Sequence, residues 1–492
     1  MIMNTFQSKS MKLIKSSRIL AVLLAFGLVS CDFGDINVDP NTPSVVKTNL
    51  LITNTLLSVS DVVGGSSLTG TILTQQISET QYNDAARYST TTFDFNGWYV
   101  GPLMDLQTII NLNTNPATAT DALAGGSNAN QIAFARIMKV YYFSMLTDRW
   151  GMIPYSEALK GTGALRPKYD TQEAIYTDML NELKAAVAQM DGGVGLRGDF
   201  ILNGNMARWA QFANTLRMKL ALRIADRNPN LARAEFASAA AAGFITSDIM
   251  YPYLSESQNQ NPWFGRFLTR TDYAISDVLA DYMLANGDYR VIRYADPAPN
   301  KSNGDGVTTM DEVVGMPYAA LNPGNIENAD VSFPGRAIRS QNSPLPIITV
   351  AEVHFMMAEG IERGFVSGNA AQHYREANEA SWKQWGVYNA TDFDAYMATP
   401  AVAYSSANWK EKIGVQKWVA LYPNGLEAWA EWRRLDYPRL TPHPDALNQS
   451  GRIPVRHSYP TTEVQLNKEN YDAAVAAQGA DNGDTKVWWD VN

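Results

Sequence analysis

The chain has 492 residues but a single cysteine, Cys31, and only four histidines. One thiol excludes a disulfide framework and a cysteine-ligated zinc site. HExxH, G-x-S-x-G and phosphate-binding glycine loops are all absent, so the signatures of metalloproteases, serine hydrolases and nucleotide enzymes are missing. Excess basic charge is missing too. Formal charge is −9, and the only residues of segment 1–30 that ionise at neutral pH are Lys9, Lys12, Lys15 and Arg18. Without that segment 36 basic residues face 49 acidic ones. An acidic body with no Lys/Arg cluster does not neutralise phosphates, which excludes nucleic acid as a partner.

Cys31 takes its meaning from what precedes it. Lys12, Lys15 and Arg18 lead into ILAVLLAFGLVS, residues 19–30. A basic segment followed by about a dozen apolar residues is a signal peptide, too short for a bilayer span of about 20 residues. The run ends Leu28-Val29-Ser30-Cys31, which resembles a bacterial lipobox. The expected organisation is a signal peptide over 1–30, a lipid-anchored tether over 31–48 with lipid on Cys31, and a binding domain over 49–492. No later apolar run is expected to cross a membrane. The tether sequence DINVDP offers Asp35, Asn37 and Asp39 at alternate positions, like an EF-hand loop. That reading fails, because the required Gly and Glu positions hold Pro40 and Val46.

Hydrophobic residues make up 46% of the chain, enough for a large packed core. The dominant period is helical. Phe134, Met138, Tyr141, Tyr142 and Met145 form one stripe, and Trp209, Phe212, Ala213, Leu216 and Leu220 another. The second stripe, followed by Ala232, Phe236 and Ala239, matches a tetratricopeptide pair. So do His354, Met357, Ala358 and Ile361 followed by Ala370, Tyr374 and Ala377. Looser pairs join 132–146 to 173–189 and 409–422 to 425–434. Segment 295–345, rich in Pro, Gly and Asn, reads as long ordered loops. The expected class is mainly α: one large domain with about four tetratricopeptide-like helix pairs and long ligand-binding loops.

The histidines His354 and His373 fall inside helix-pair patterns and read as packing residues. The loop KSNGDGVTTMDE, 301–312, puts Asn303, Asp305 and Glu312 at EF-hand positions, but Lys301 occupies the first ligand position, so a polar surface loop is the better reading. Neither a resident metal nor a cofactor is expected. Two segments set aromatic rings among polar groups outside clean helical stripes. The first, 80–101, carries Tyr82, Asn83, Arg87, Tyr88, Trp98 and Tyr99. The second, 259–267, carries Trp263, Phe264 and Arg266. Ring planes with amide and guanidinium forks suit the CH faces and hydroxyl rims of sugars. Trp98 and Trp263, with Tyr82, Tyr88 and Phe264, are therefore expected to line one solvent-facing surface. Trp209, Trp418, Trp429 and Trp432 lie in helical patterns and are expected in the core.

Eight stretches in order carry a family resemblance. They are the lipobox with DINVDPNTP, GPLMDLQTIIN (101–111), LTDRWGMIPYSEAL (146–159), GNMARWAQFANTLRMKLALRIA (204–225), AEVHFMMAEG (351–360), GVQKWVALYPNGLEAWAEWRRLDYP (414–438), IPVRHSYPTTEVQLN (453–467) and VWWD (487–490). Together they resemble the SusD/RagB group of outer-membrane nutrient-binding lipoproteins, in its SusD-like branch. Met152 stands where the group more often has Asp. The resemblance implies four tetratricopeptide-like pairs as scaffold, ligand loops opposite, and no enzymatic activity. It also implies a TonB-dependent SusC-like outer-membrane barrel as partner, covered by the lipoprotein at the cell exterior. An oligosaccharide is the favoured ligand and a peptide the alternative. A surface glycoside hydrolase and a structural adaptor are the readings from other classes.

Overall fold

A computed structural model describes residues 46–320 and 326–491. The signal peptide, Cys31 and nearly all of the tether lie outside the described residues. Within the unit Lys47–Asn492 most of the described residues are helical, with six short strands among them.

Eight helices form the scaffold: α1 Asn128–Trp150, α2 Gln172–Gln189, α3 Met206–Arg223, α4 Pro229–Ala242, α5 Val350–Glu362, α6 Ala370–Gln384, α7 Trp409–Ala420 and α8 Gly425–Leu435. They pack as α1 on α2, α3 on α4, α5 on α6 and α7 on α8, the four pairs expected from the sequence. Local chemistry starts the first six. Side chains of Ser127, Thr171, Asn205, Asn228, Thr349 and Asn369 each accept a backbone N–H of the first turn. A cap of this kind contributes about 1 kcal/mol. Thr349 and Glu352 complete a reciprocal capping box.

Large rings wedge between neighbouring pairs. Phe134 of α1 meets Trp209 of α3 edge-on at 5.0 Å between ring centroids, and Trp209 meets Phe212 at 5.7 Å. Trp209, Trp418 and Trp429 are buried as expected, whereas Trp432 is half-buried. Burying a large apolar side chain contributes about 1.5–3 kcal/mol, so this shared wall holds the pairs in register.

One feature of the core has no counterpart in the hydrophobic pattern. Lys219, Arg223, Lys417, Arg434 and Arg363 interleave with Asp148, Glu352, Glu359, Glu427 and Glu431 between α1, α3, α5, α7 and α8. Five cations face five anions in this set, Arg363 also pairing with Asp226 at 2.7 Å, and nine of the ten side chains are less than 10% exposed. Buried charge is tolerated only when paired in this way.

The segment Thr48–Leu73 corrects the membrane expectation in one respect. It is long and apolar enough, by length and composition, to cross a bilayer. A π-helical turn at Asp61–Gly65 interrupts it, and Ile52, Leu56, Val59, Val62 and Val63 are buried in the protein core.

Three antiparallel ladders pin the loops: β1 Ile77–Glu79 with β5 Tyr273–Ile275, β2 Ile153–Pro154 with β3 Tyr169–Asp170, and β4 Ile249–Tyr251 with β6 Leu345–Ile348. The first brings the loop after residue 79 against the segment before residue 273. Residues 295–320 and 326–345 are mostly irregular, as expected. In the 301–312 loop, Glu312 accepts from the amides of Asn303 (2.9 Å) and Thr309 (2.8 Å). Asn303 and Asp305 accept from Asp305 and Val307 amides in turn. The oxygens that would bind calcium staple the loop to itself.

Candidate ligand-binding site

The β1–β5 ladder joins the two segments singled out in the sequence. Ile77 pairs with Ile275, Ser78 with Ala274 and Glu79 with Tyr273. Thr80 continues the contact, its amide donating to the Asp272 carbonyl at 2.8 Å. Beyond it opens a pocket of about 340 Å3 whose wall includes Tyr82, Phe93 and Tyr273, with Glu79, Asp84, Thr91 and His457 among the polar groups. Helix Ser67–Leu73 supplies its floor through Leu68, Thr69, Ile72 and Leu73.

Each ring is held differently. Tyr82 is 67% exposed, with the Arg270 guanidinium 4.9 Å from its ring centroid. Phe93 packs on His457 at 4.2 Å between centroids. Tyr273 leans edge-on against Trp263 at 6.4 Å. Behind the rings, Glu79 is 8% exposed and accepts from the Ala86 amide at 3.0 Å. Burial, helped slightly by Asp84 and Asp272, pushes its carboxyl up to about 7 against the pull of the Ala86 and Ala85 amides. Near neutral pH it therefore both donates and accepts. His457 is held neutral: burial lowers its pKa most, and Arg149, Arg433 and Arg456 lower it further.

The nine candidate ligand residues separate into groups. Tyr82 lines the pocket. Asn83 and Arg87 brace its loop from outside, donating to the carbonyls of Ala320 (2.6 Å) and Asp445 (2.9 Å). Tyr88 does not face solvent. At φ 65° its backbone is left-handed and the ring is buried with Leu73, Trp429 and Ile453. Trp98 and Tyr99 lie against α1 instead: Trp98 meets Tyr142 edge-on at 5.9 Å, and the Tyr99 hydroxyl donates to the Pro154 carbonyl at 2.6 Å.

Trp263 is the clearest correction. It is 0% exposed, so Trp98 and Trp263 do not share a solvent-facing surface. Asn261 dictates this. Its side-chain oxygen caps the Trp263 amide at 2.7 Å while its amide group donates to the carbonyls of Ile338 and Ser343. The short helix Pro262–Arg266 is thereby clamped with the indole inward. Arg266 covers that indole at 4.8 Å and donates to the Gly65 carbonyl at 3.0 Å. Phe264 is half-buried and does not line the pocket. Trp263 and Arg266 thus stand behind Tyr273 rather than in the pocket wall.

Phe93, Tyr273 and Glu79 were not picked out by sequence. Phe93 lies inside the aromatic segment 80–101. Tyr273 is the first residue of its strand, and only the ladder places it opposite Glu79. A wider cleft of about 700 Å3 lies beside α1, but most of its polar groups are paired with one another. Arg136 pairs with Glu182 at 2.8 Å, Lys139 donates to Gln107 at 2.8 Å, and Tyr155 donates to Asp178 at 2.7 Å.

Residues 40–460 match the family described as starch-binding and associating with the outer membrane, the SusD-like family. Solved structures agree. A chitin-binding protein is 27% identical over 91% of this chain and 100% of its own, with a TM-score of 0.77. A SusD homologue from Bacteroides uniformis is 25% identical over 90% and 99%, with a TM-score of 0.75. A chitin-binding SusD homologue from Flavobacterium johnsoniae, 24% identical over 90% and 98%, shares the fold at a TM-score of 0.72. No curated protein sequence matches the chain. Its mainly helical fold and its match over residues 40–460 make this chain a member of the SusD-like family of outer-membrane-associated nutrient-binding proteins.

Proposed function

We propose that this protein is a lipid-anchored, non-enzymatic binder of oligosaccharides at the outer face of the outer membrane. In this reading Cys31 carries the lipid, and the protein hands its ligand to a TonB-dependent SusC-like barrel that it covers. One observation carries the ligand assignment: Tyr82, Phe93 and Tyr273 line a single pocket with the carboxyl of Glu79, whose pKa burial raises to about 7. Rings take the apolar CH faces of a pyranose, and a carboxyl able to donate and accept suits hydroxyls. The 27% identical chain being a chitin-binding protein supports a glycan and makes β-linked N-acetylglucosamine oligomers the first probe.

Calorimetric titration with chito-oligosaccharides, malto-oligosaccharides and a mixed peptide library tests the reading. Saturable binding of at least one sugar series, lost in Tyr82→Ala/Tyr273→Ala, is expected. Peptide binding with no sugar binding overturns the glycan assignment. Unchanged ligand and a reducing-end count that does not rise distinguish binding from hydrolysis. Co-purification with a barrel in mild detergent is the expected sign of the partner. Full-yield recovery without one after crosslinking counts against it.

A further inference from the structure

Far along the sequence from the pocket residues, on the third helix pair, α5 and α6 bring two imidazoles and a carboxylate to one point. His354 projects from α5. His373 and Glu376 are three residues apart on α6 and share a face. The Nδ1 atoms of His354 and His373 are 3.0 Å apart. Glu376 Oε2 lies 3.2 Å from the first and 3.3 Å from the second. This is not the apolar packing expected from the sequence. The three side chains are 25%, 25% and 36% exposed, so they form a rim open to water.

Hydrogen bonds alone do not satisfy this triangle. Two neutral imidazoles supply at most two Nδ1 protons for three edges, and if both point at the carboxylate the two N–H groups crowd each other at 3.0 Å. Donor atoms bound tetrahedrally to one zinc at about 2.0–2.1 Å stand roughly 3.3–3.4 Å apart, close to the 3.2 and 3.3 Å edges, and the 3.0 Å edge widens to that spacing with a small side-chain adjustment. The second carboxylate oxygen is already held: Gln372 Nε2 donates to Glu376 Oε1 at 2.8 Å. That contact leaves Oε2 for a single metal bond, as an outer partner does in known metal sites. Nitrogen-rich donors favour a borderline transition ion over calcium or magnesium.

We propose that His354, His373 and Glu376 form a zinc site that bridges α5 and α6, with water completing the coordination. The ion joins helices whose Cα atoms otherwise meet through side-chain packing, so it stabilises the third pair and leaves the ligand pocket untouched. All three ligands come from this chain, and the site needs no partner copy.

The test uses the full chain in detergent, purified without a polyhistidine tag, stripped with chelator and titrated with zinc chloride. One zinc per chain is expected, with a rise in melting temperature. His354→Ala and His373→Ala should each weaken binding by more than about 100-fold, and Gln372→Ala by about 10-fold. Circular dichroism checks that each variant keeps its helicity. His443→Ala, away from the cluster, should bind as the native chain does. Anomalous diffraction at the zinc edge should place the ion about 2.0–2.1 Å from both Nδ1 atoms. Substoichiometric zinc, or binding that survives loss of both His354 and His373, overturns the proposal and leaves a hydrogen-bonded cluster.

Discussion

Glu79 and Tyr273 stand directly opposite each other at the end of the β1–β5 ladder. This register brings a loop near residue 80 to a segment near residue 270. Paired positions in a ladder point to the same face, so the carboxyl and the ring enter one pocket together. A slip of one residue would turn one strand over relative to the other and put the carboxyl and the ring on opposite faces.

The aromatic wall gives the first prediction. Replacing Phe93 or Tyr273 with Ala should weaken ligand binding by about 1–3 kcal/mol, a factor of roughly ten to a hundred, by analogy with stacking on planar ligands. Tyr82→Ala should do the same without a change in melting temperature, because its ring is mostly exposed. Trp263→Ala should behave in the opposite way. Its indole is buried, so unfolding free energy should fall by about 3–5 kcal/mol. Titration calorimetry and urea denaturation on the same variants separate the two outcomes. A folded Trp263→Ala with native stability would show that the indole is not a core group.

The pKa of Glu79 gives a pH dependence with a definite sign. Its folded value, about 7, lies above the ordinary glutamate value of 4.5. The native state therefore holds the proton where the unfolded chain has lost it. This contribution to stability is present below about pH 4.5 and is lost as pH rises through about 7. It amounts to about 3 kcal/mol at most. Native protein and Glu79→Gln should be compared by urea denaturation from pH 5 to 8. The variant should gain stability relative to the native chain as pH rises. The comparison cancels His457, whose depressed pKa acts in the opposite direction.

Two glycines set how closely the pocket floor approaches the scaffold. A Cβ on Gly70 would lie 2.1 Å from the Gly425 carbonyl oxygen, and one on Gly425 would lie 2.0 Å from the Thr71 amide nitrogen. Both obstacles are backbone, which cannot rotate away. Gly70→Ala and Gly425→Ala should each cost at least about 2 kcal/mol. Helix Ser67–Leu73 lines the pocket, so affinity should fall with them. A Gly70→Ala protein with an unchanged urea midpoint would mean that the helices can separate freely.

Helix pairs were legible because their stripes repeat every third and fourth residue and small residues mark the close contacts. The site was legible only as a region. The segment 80–101 does supply Tyr82 and Phe93, but Trp263 looked exposed because Pro and Gly surround it. What turns it inward is Asn261, whose bonds reach Ile338 and Ser343. No local pattern encodes a clamp across about eighty residues. The same limit hid His354 beside His373, each of which reads alone as a packing residue. The charged core was hidden for a different reason: Lys, Arg and Glu in a helix read as its solvent face until the third dimension pairs them.

Cys31 gives a prediction about location. Cys31→Ala should release the protein from the outer-membrane fraction, measured by immunoblot after salt washing. The native chain should resist high salt, since acyl burial of about 0.8 kcal/mol per methylene is not screened as charge is. A variant that still sediments with the membrane after salt would rule out lipid as the anchor.

The buried ion network gives the last prediction. Glu431 contacts Arg223, Lys417 and Arg434. Burial alone would raise its pKa, but these three cations outweigh it and hold the carboxyl well below the usual range. The sign is therefore opposite to that of Glu79. The native state binds fewer protons than the unfolded chain below about pH 4.5, so this stabilisation is present above that pH and is lost on acidification. Glu431→Gln keeps the shape but leaves the network one positive charge in excess. Breaking a buried pair from one side costs about 3–5 kcal/mol. Urea denaturation at pH 7 should show that loss, and it should persist in 1 M salt because the partners are shielded from solvent ions. The gap between native protein and variant should then narrow as pH falls below about 4.5, since the unfolded native sequence takes up a proton there that folded Glu431, held well below the usual range, does not. A loss that vanishes in high salt at pH 7 would place these charges in contact with water, contrary to their burial here.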